Sequence, residues 1–259
     1  MTDVESPAAT LLRILWRSDE LGGGTDASPL ALASPASDAA IDALYATPAG
    51  PWIRMNMLGT LNARVTGPDG TSDSVTNRID RRILTRIRRM SDAIVVGAST
   101  LRQERHTATG DTPLVVVTRS GELAGHRITP DEARHGVVVL CPPIATTNVE
   151  RTLPGARVEI VDAPGGGVPV GTVVERCRAL GFERLVVEGG GSLIAQFLDA
   201  ELLDEACLTQ APLFGPSDAP QLPASTAATR FERVLVALDD AGYAYSRLVA
   251  RRGAATSAD

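Results

Sequence analysis

The chain has 259 residues, a formal charge of −6 at pH 7, 44% hydrophobic residues and 22% charged residues, which is typical of a globular protein with one large or two small domains. No apolar run reaches the roughly 18 residues that a membrane-spanning helix needs, and the acidic N-terminus lacks the basic region of a secretory signal. We therefore expect a cytoplasmic protein that does not bind membranes. The negative charge also argues against nucleic-acid binding, which requires a basic face.

The reactive side chains that the sequence lacks exclude several classes of enzyme. All 25 residues counted as Lys or Arg are arginine, so no lysine is present for a Schiff base, a pyridoxal phosphate anchor or a P-loop. The histidines lack HxH and HExxH spacing, the cysteines form no CxxC pair, and the zinc deaminase signature is absent. We therefore predict no metal site, and we interpret the cysteines as small apolar residues in a reducing compartment.

The first 50 residues differ in composition from the rest. Residues 8–16 fit either a short amphipathic helix or a strand, and residues 22–24 and 28–38 are rich in Gly, Ala, Ser and Pro, as in a mobile connection. We expect a partly flexible N-terminal extension over residues 1–50, with ordered structure starting near Pro51. The main domain is then expected over residues 51–252, followed by a disordered tail over residues 253–259.

A strand and a helix are predicted at the start of the main domain. Residues 52–58 predict a strand, followed by a polar turn region over residues 66–74. Thr76 is the expected N-cap of a helix that ends near Met90, with Asp80 in its first turn. Arginines fill one face of this helix, at positions 78, 81, 82, 86, 88 and 89. We interpret this arginine face as a solvated helix surface.

Short strands and helices alternate after residue 90. Strands are predicted over residues 93–96, 114–117, 137–141, 158–161 and 184–187, with helices over residues 170–180 and 193–198. Strands over residues 205–210, 231–238 and 243–250 follow, the last two as a hairpin. The predicted fold class is α/β, with a mostly parallel central sheet, helices on both faces and a C-terminal antiparallel hairpin.

Three predicted strand ends carry groups suited to a phosphorylated dinucleotide. The carboxyl ends of parallel strands share one edge of a sheet, and ligands bind there. Residues 97–100 offer a glycine and a hydroxyl at a helix start, and residues 118–120 offer a positive charge and two hydroxyls for a 2′-phosphate. The triple glycine at residues 189–191 offers amides for a pyrophosphate. The alternative is that the glycines only turn the chain and that Arg119 is a surface charge. The candidate cofactor-binding residues are Gly97, Thr100, Thr118, Arg119, Ser120, Glu188, Gly189, Gly190, Gly191, Ser192 and Leu193.

Five segments in a fixed order resemble a known family. They read NMLGTLN at residues 56–62, DAIVVGASTLR at 92–102, VVTRS at 116–120, VEGGGSL at 187–193 and APLFG at 211–215. Over about residues 50–250 the chain resembles the pyrimidine reductase domain of riboflavin biosynthesis, whose fold is related to dihydrofolate reductase, here without a deaminase module. The resemblance implies NADPH binding, a homodimer, and reduction of the ribose of 5-amino-6-(5-phosphoribosylamino)uracil to a ribityl chain.

Two segments depart from the pattern of that family. Where these reductases usually read Ser-Leu-Asp-Gly, this chain has TLNA at residues 60–63, so that an amide replaces a carboxylate and an alanine replaces a glycine. The Asp-Asp-Pro stretch of bifunctional members, whose neighbourhood helps bind substrate phosphate, is replaced by QERHTATG at residues 103–110. Both departures fall on the substrate side of the expected cleft.

The remaining polar residues are candidates for binding a small-molecule substrate. We expect Asn56 and Asn62 to contact a pyrimidine or sugar, with Thr60 nearby, and Arg102 and Arg105 to bind a phosphate of substrate or cofactor unless either is a solvated side chain. Glu188 is either a hydrogen-bond acceptor in the pocket or a structural partner of a loop amide. No residue is assigned a catalytic role, because the nicotinamide supplies the hydride. The alternatives are a related NADPH reductase acting on a pterin, dihydrofolate or another heterocycle, and a non-catalytic NADP-binding protein.

Overall fold

A computed structural model describes residues 11–18, 24–31, 36–104, 111–226 and 228–251. Its strands are β1 (Leu11–Arg17), β2 (Gly24–Ala31), β3 (Trp52–Thr60), β4 (Ala93–Gly97), β5 (Leu114–Val117), β6 (Val137–Cys141), β7 (Arg157–Ile160), β8 (Arg184–Gly189), β9 (Glu205–Ala211), β10 (Phe231–Asp239) and β11 (Ala244–Ala250). Its α-helices are α1 (Ala36–Tyr45), α2 (Arg78–Arg89), α3 (Ala98–Gln103), α4 (Pro130–Gly136), α5 (Thr146–Thr152), α6 (Val170–Ala179) and α7 (Gly191–Asp199).

The strands of the described residues form one sheet in the order β2-β1-β10-β11-β9-β3-β8-β4-β5-β6-β7. Every pair from β9 to β7 is parallel, and every pair from β2 to β9 is antiparallel. The predicted fold class is confirmed, including the hairpin of β10 and β11. Strands β4 and β6 are almost wholly apolar and buried, as expected of parallel strands covered on both faces.

Helices cover the sheet on both faces. One apolar core contains side chains of α1 to α5, and the other contains side chains of α6 and α7. Because side chains alternate along β3, Leu58 points toward the first core, whereas Met55 and Met57 point toward the second. The first core therefore lies between β3 and α2, where the candidate site is found.

The N-terminal segment does not form the expected appendage. Strand β1 pairs with β10, burying Leu12 and Ile14, and α1 packs against α2 through Ile41 and Leu44. Ordered structure therefore begins well before Pro51, although a domain boundary near that residue stays a prediction. The apolar spacing of Ile41, Leu44 and Tyr45, at i, i+3 and i+4, was the available signal for α1.

The arginine face of α2 is only partly a solvated surface, contrary to the prediction. Arg82 Nε donates to Asp38 Oδ1 at 2.8 Å, and Arg86 Nε donates to Asp42 Oδ1 at 2.7 Å. Both carboxylates belong to α1. The arginines thus tie α1 to α2, and their partners lie 44 positions away in sequence, which a helical pattern alone does not reveal.

A buried ionic cluster also fixes the N-terminal segment to the sheet. Glu205, on β9, accepts hydrogen bonds from Arg54 on β3 and Arg247 on β11, and all three side chains are almost fully buried. The two guanidinium groups also donate to the backbone carbonyls of residues 44–46, at the C-terminal end of α1. Cations at this end of a helix stabilise its carbonyl groups.

Among the helices of the described ranges, none is long and apolar enough to cross a membrane. The cytoplasmic location stays a prediction.

The N-cap of α2 is Asn77 and not Thr76 as predicted: Asn77 Oδ1 accepts the backbone N–H of Asp80 at 2.9 Å.

Candidate active site

A cleft of about 580 Å³ opens between β3, α2 and the ends of β4 and β8. Of the predicted site residues, six line it: Asn56, Thr100, Glu188, Gly189, Gly190 and Gly191. The other walls are one face of α2, the loop between β3 and α2, and residues 220 and 221. The end of β8 and the start of α3, which follows β4, therefore meet a side chain of β3 at one place, whereas the third predicted segment, residues 118–120, does not line the cleft.

The triple glycine forms a tight contact with the start of α3. Gly190 has a φ of +67°, and a Cβ added there would lie 3.5 Å from the Cα of Gly97. A Cβ on Gly189 would lie 2.8 Å from Thr100 Oγ1, closer than real Cβ atoms come to a neighbour. These glycines are therefore required both for the turn and for the close approach of two chain segments.

Thr100, a half-buried residue of the cleft lining, stabilises this turn by a hydrogen bond. Its hydroxyl accepts the backbone N–H of Gly190 at 2.5 Å. The N–H of Leu193 is also used, since it donates to the carbonyl of Gly190 at 2.8 Å. The amides of Gly191 and Ser192 stand at the first two positions of α7, where a helix offers no acceptor. Of the predicted amide donors, these two are the ones available to an anion.

The segment after β5 lies beside the glycine turn but outside the cleft. Val117 pairs with Gly97 across β4 and β5. Thr118 is buried, and its hydroxyl accepts the N–H of Gly121 at 3.0 Å, so it shapes the turn. Arg119 and Ser120 are exposed, and no ion pair of Arg119 is found within the described chain. Arg119 thus presents an exposed guanidinium at the end of β5, and its side chain lies near Gly166.

Asn62 and Thr60 are placed away from the cleft lining. Asn62 Oδ1 accepts from the Thr60 hydroxyl at 2.7 Å and from the Gly215 N–H at 2.8 Å, and its Nδ2 donates to the Gly215 carbonyl at 2.9 Å. Thr60 is buried and also accepts the N–H of Arg64 at 3.0 Å. Both side chains therefore use their polar atoms to hold the loop after β9 against the end of β3.

Ala63, one of the departures from the family pattern, has a φ of +61°. This left-handed conformation favours glycine, because a Cβ crowds the following carbonyl. Its N–H donates to the carbonyl of Thr60, and its own carbonyl accepts the N–H of Leu222, so two backbone hydrogen bonds hold Ala63 in this turn. The alanine therefore adopts the turn at a cost in backbone energy.

Arg102, one of the two arginines predicted to bind a phosphate, does not line the cleft. Arg102 is exposed, and its Nη1 donates to the carbonyl of Glu122 at 2.7 Å, next to the turn after β5. Arg105 lies outside the described residues. Both arginines were candidates for binding substrate or cofactor, but the direction of the Arg102 side chain, in the last turn of α3, depends on its tertiary contacts.

An ion pair that the sequence did not predict joins two walls of the cleft. Arg88 Nε donates to Glu188 Oε1 at 2.7 Å, and Arg88 Nη2 donates to Glu188 Oε2 at 2.5 Å. The Glu188 side chain is 5% exposed and that of Arg88 is 31% exposed. Burial is the largest influence and acts to lower the pKa of Arg88, but the attraction by Glu188, its hydrogen bonds and the charge of Glu104 together outweigh burial, so this pKa lies above its ordinary value. Glu188 is thus a structural partner of a guanidinium, and not of a loop amide.

Asp80 is a buried carboxyl group in the cleft wall. Its Oδ2 accepts from the Thr76 hydroxyl at 2.6 Å, and Thr209 of β9 is a second hydrogen-bonding neighbour. Burial raises the pKa of Asp80 despite these two hydrogen bonds, which act in the opposite direction. Asp80 was recognised in the sequence only as a first-turn acid, because a helix pattern does not reveal which neighbours bury it.

Charged groups of both signs face the cleft. The acidic residues of its lining are Asp73, Asp80, Glu104 and Glu188, and the basic ones are Arg81 and Arg88. Arg81 is 58% exposed and lies 3.3 Å from Asp73. No group of three metal-ligating side chains comes together within the described ranges.

Comparisons with known proteins agree with this architecture. A family model described as the RibD C-terminal domain matches residues 51–241. The chain is 32% identical over 175 residues to the 2,5-diamino-6-ribosylamino-4(3H)-pyrimidinone 5′-phosphate reductase of Methanothermobacter thermautotrophicus, and the match covers 63% of this chain and 78% of that protein. The enzyme of the same name from Archaeoglobus fulgidus is 27% identical over 190 residues, covering 66% and 84% of the two chains.

Solved structures share the fold at lower sequence identity. A pyrimidine reductase-like protein from Corynebacterium diphtheriae has a TM-score of 0.68 and 20% identity, with 86% of this chain and 98% of that chain covered. A deaminase and 5-amino-6-(5-phosphoribosylamino)uracil reductase from Thermotoga maritima has a TM-score of 0.61 and 18% identity, covering 82% of this chain and 60% of that chain.

Proposed function

The chain belongs to the RibD C-terminal domain family and is an oxidoreductase of the riboflavin-biosynthesis type, and we propose that it transfers a hydride from NADPH to the ribosyl C1 of a phosphoribosylamino-pyrimidine. The observation that carries the proposal is the shared cleft: Asn56 on β3 and the glycine turn after β8 line the same 580 Å³ space. One wall suits a heterocycle or sugar, and the other suits a phosphate-bearing cofactor.

The residues around the glycine turn fit a nicotinamide dinucleotide. Gly191 has no heavy atom within 4 Å of the position of a Cβ and is exposed, so a ligand can approach the backbone closely there. The free amides of Gly191 and Ser192 at the start of α7 suit a pyrophosphate. Arg119 suits the 2′-phosphate that distinguishes NADPH from NADH, because it is an exposed cation at the end of β5, on the same edge of the sheet as the end of β8. NADPH would supply the hydride when bound.

The protein's own groups would position the substrate and manage the proton. Asn56 would hydrogen-bond the pyrimidine or sugar from β3, and the loop between β3 and α2 would exclude water from that side. Reduction of an open-chain imine adds a hydride to carbon and a proton to nitrogen. Burial raises the pKa of Asp80 and so favours its protonated form, which makes Asp80 our candidate for holding that proton.

The test is an assay of purified protein with NADPH and each of two substrates, the diaminopyrimidinone of the archaeal relatives and the aminouracil of the Thermotoga relative. Loss of absorbance at the NADPH band with either one supports the proposal, and it also identifies the substrate. Tight NADPH binding without oxidation in either mixture would leave only a dinucleotide-binding protein.

The cofactor assignment has its own test in Arg119→Ala. We expect the NADPH dissociation constant to rise by about 10- to 150-fold and that of NADH to stay unchanged, because one charge-assisted contact contributes roughly 1.5–3 kcal/mol. Arg127→Ala removes the same charge from another exposed position and is the matched control. Equal effects of Arg119→Ala on both dinucleotides would remove Arg119 from the 2′-phosphate site.

A second candidate reaction is reduction of dihydrofolate or another pterin. The observation that favours it is the acidic balance of the cleft, where four carboxylates face two guanidinium groups. Such a lining suits a heterocycle rich in amino groups better than a phosphate ester. Oxidation of NADPH by the protein with dihydrofolate, and not with either pyrimidine, would decide for this reaction.

We also propose a homodimer that forms through the antiparallel half of the sheet. Trp16, Val236, Ser246 and Leu208 lie directly opposite one another across β1, β10, β11 and β9, so they form one row on one face. Trp16 is 40% exposed and the others are half-buried. Light scattering on the purified protein tests the dimer, and Val236→Glu should shift it to the monomer mass.

A further inference from the structure

Glu104 occupies a pair of hydrogen-bond donors inside the cleft. Its Oε1 accepts the backbone N–H of Ser72 at 3.1 Å, and its Oε2 accepts the Ser72 hydroxyl at 2.9 Å. Glu104 is the C-cap of α3, whereas Ser72 belongs to the loop between β3 and α2, and both residues line the cleft. A carboxylate from one wall is therefore held by two donors from the opposite wall.

The same donors suit an external anion. One N–H and one O–H converge on two oxygens of a single anionic group, as they would on two oxygens of a phosphate. The charge of Glu104 also lies close enough to Arg88 to contribute to the raised pKa of that guanidinium. The position thus combines two donors with the electrostatic influence of Arg88, which is itself paired with Glu188, and a side chain of the protein fills it.

We propose that Glu104 is a specificity-determining residue: its carboxylate occupies the anion-binding donors of Ser72 in the free protein and must be displaced by the phosphate of the substrate. This inference rests on the proposed function, since it concerns the same cleft and a phosphorylated substrate. Displacement makes the apparent affinity for phosphate the intrinsic affinity multiplied by the fraction of molecules in which Glu104 has left. A substrate without phosphate does not have to displace it.

The loop that carries Ser72 has its own supports, so Glu104 is not needed to fold it. Asp69 accepts hydrogen bonds from the N–H and hydroxyl of Thr71 at 3.0 and 2.7 Å and from the Ser74 hydroxyl at 2.5 Å. These bonds lower the pKa of Asp69 to about 2. Replacing Glu104 should therefore free the donors without unfolding the loop.

The experiment measures binding of ribose 5-phosphate and of ribose to the full-length protein by calorimetry, without cofactor. In Glu104→Gln, whose amide keeps the shape and loses the charge, we expect ribose 5-phosphate to bind about tenfold more tightly and ribose to bind as before. Adding Ser72→Ala to Glu104→Gln should abolish the gain, because the hydroxyl donor is then missing. Glu175→Gln, an equal charge change on the exposed surface of α6, should change neither affinity.

Two results would overturn the proposal. One is an unchanged affinity of Glu104→Gln for ribose 5-phosphate, and the other is an equal gain for ribose, which would mean that the cleft has merely widened. Thermal unfolding of each variant verifies that it is folded. Because these measurements involve no turnover, they are independent of the reductase assay: a protein that shows the phosphate-specific gain but oxidises NADPH with neither pyrimidine contradicts the proposed reaction alone.

Discussion

The ion pair between Arg88 and Glu188 gives a stability prediction whose size follows from its geometry. Arg88→Met keeps most of the aliphatic volume but leaves the Glu188 carboxylate, 5% exposed, without its two guanidinium hydrogen bonds. Breaking a fully buried pair from one side costs about 3–5 kcal/mol. Because Arg88 is itself 31% exposed, water can partly replace it, and we expect a loss of about 2–3 kcal/mol in the free energy of unfolding. For a chain of this size, that is a fall in Tm of roughly 5–10 °C.

A double-mutant cycle with Glu188→Gln separates the pair from its surroundings. The double variant should lose less stability than the sum of the two single variants by at least about 1 kcal/mol, because it leaves no unpaired buried charge. Urea unfolding followed by circular dichroism measures all four proteins. Arg81→Met is the control on the same helix: its ion pair is 58% and 45% exposed, so a change below about 0.5 kcal/mol is expected. Additive single effects, or an Arg88→Met variant as stable as the parent, would refute the reasoning.

Three further predictions concern other parts of the site. Ala63→Gly should raise the free energy of unfolding by about 0.5 kcal/mol, because the strain relieved in the left-handed conformation exceeds the entropy that glycine adds to the unfolded chain. A lower Tm of the variant would show that the turn is unstrained. Asn62→Ala should lower the free energy of unfolding by about 1–3 kcal/mol, because the N–H and carbonyl of Gly215 lose their hydrogen-bond partners. Faster amide hydrogen exchange in the loop after β9 would confirm this cause. Asp80→Asn should lower kcat by at least about 100-fold if Asp80 holds the proton. The stability of Asp80→Asn relative to the parent should also rise with pH. The folded-state pKa of Asp80 is raised above the unfolded value, so the parent loses stability as pH rises through the folded pKa. The amide of the variant does not titrate and loses none. Urea unfolding at pH 4 and pH 8 measures both proteins. A free energy of unfolding of Asp80→Asn that falls relative to the parent between these pH values would contradict the prediction.

Much of the fold could be predicted because its signals are local. The apolar runs of β4, β5, β6 and β8 are short, rich in valine and bounded by turns, which is how fully buried parallel strands read. The N-terminal elements lack such clear local signals: residues 8–16 fitted either a helix or a strand, and β2 and α1 were not predicted. Strand β1 lies next to segments of low complexity and is stabilised by pairing with β10, more than 200 positions away.

The candidate site could be predicted in outline and not in the roles of its side chains. The glycine turn and Asn56 were found because backbone geometry and strand ends are written in the sequence. Asn62 was expected at the substrate, yet it holds Gly215, which lies 153 positions away. A short polar side chain at a strand end can bind a substrate or hold a neighbouring loop. Which of the two it does depends on the groups that the fold places next to it.

The sequence by itself determined the α/β fold class, the strands from β3 to β11 and membership of a reductase family, and it predicted a dinucleotide site at three strand ends. Each of these depends on residues close together along the chain. Only the tertiary structure decided that Arg88 neutralises Glu188, that Thr100 closes the glycine turn, and that Glu104 fills the donors of Ser72. Those roles depend on which charges and donors meet across 100, 90 and 32 positions, and the energy of such contacts depends on burial that no local pattern specifies.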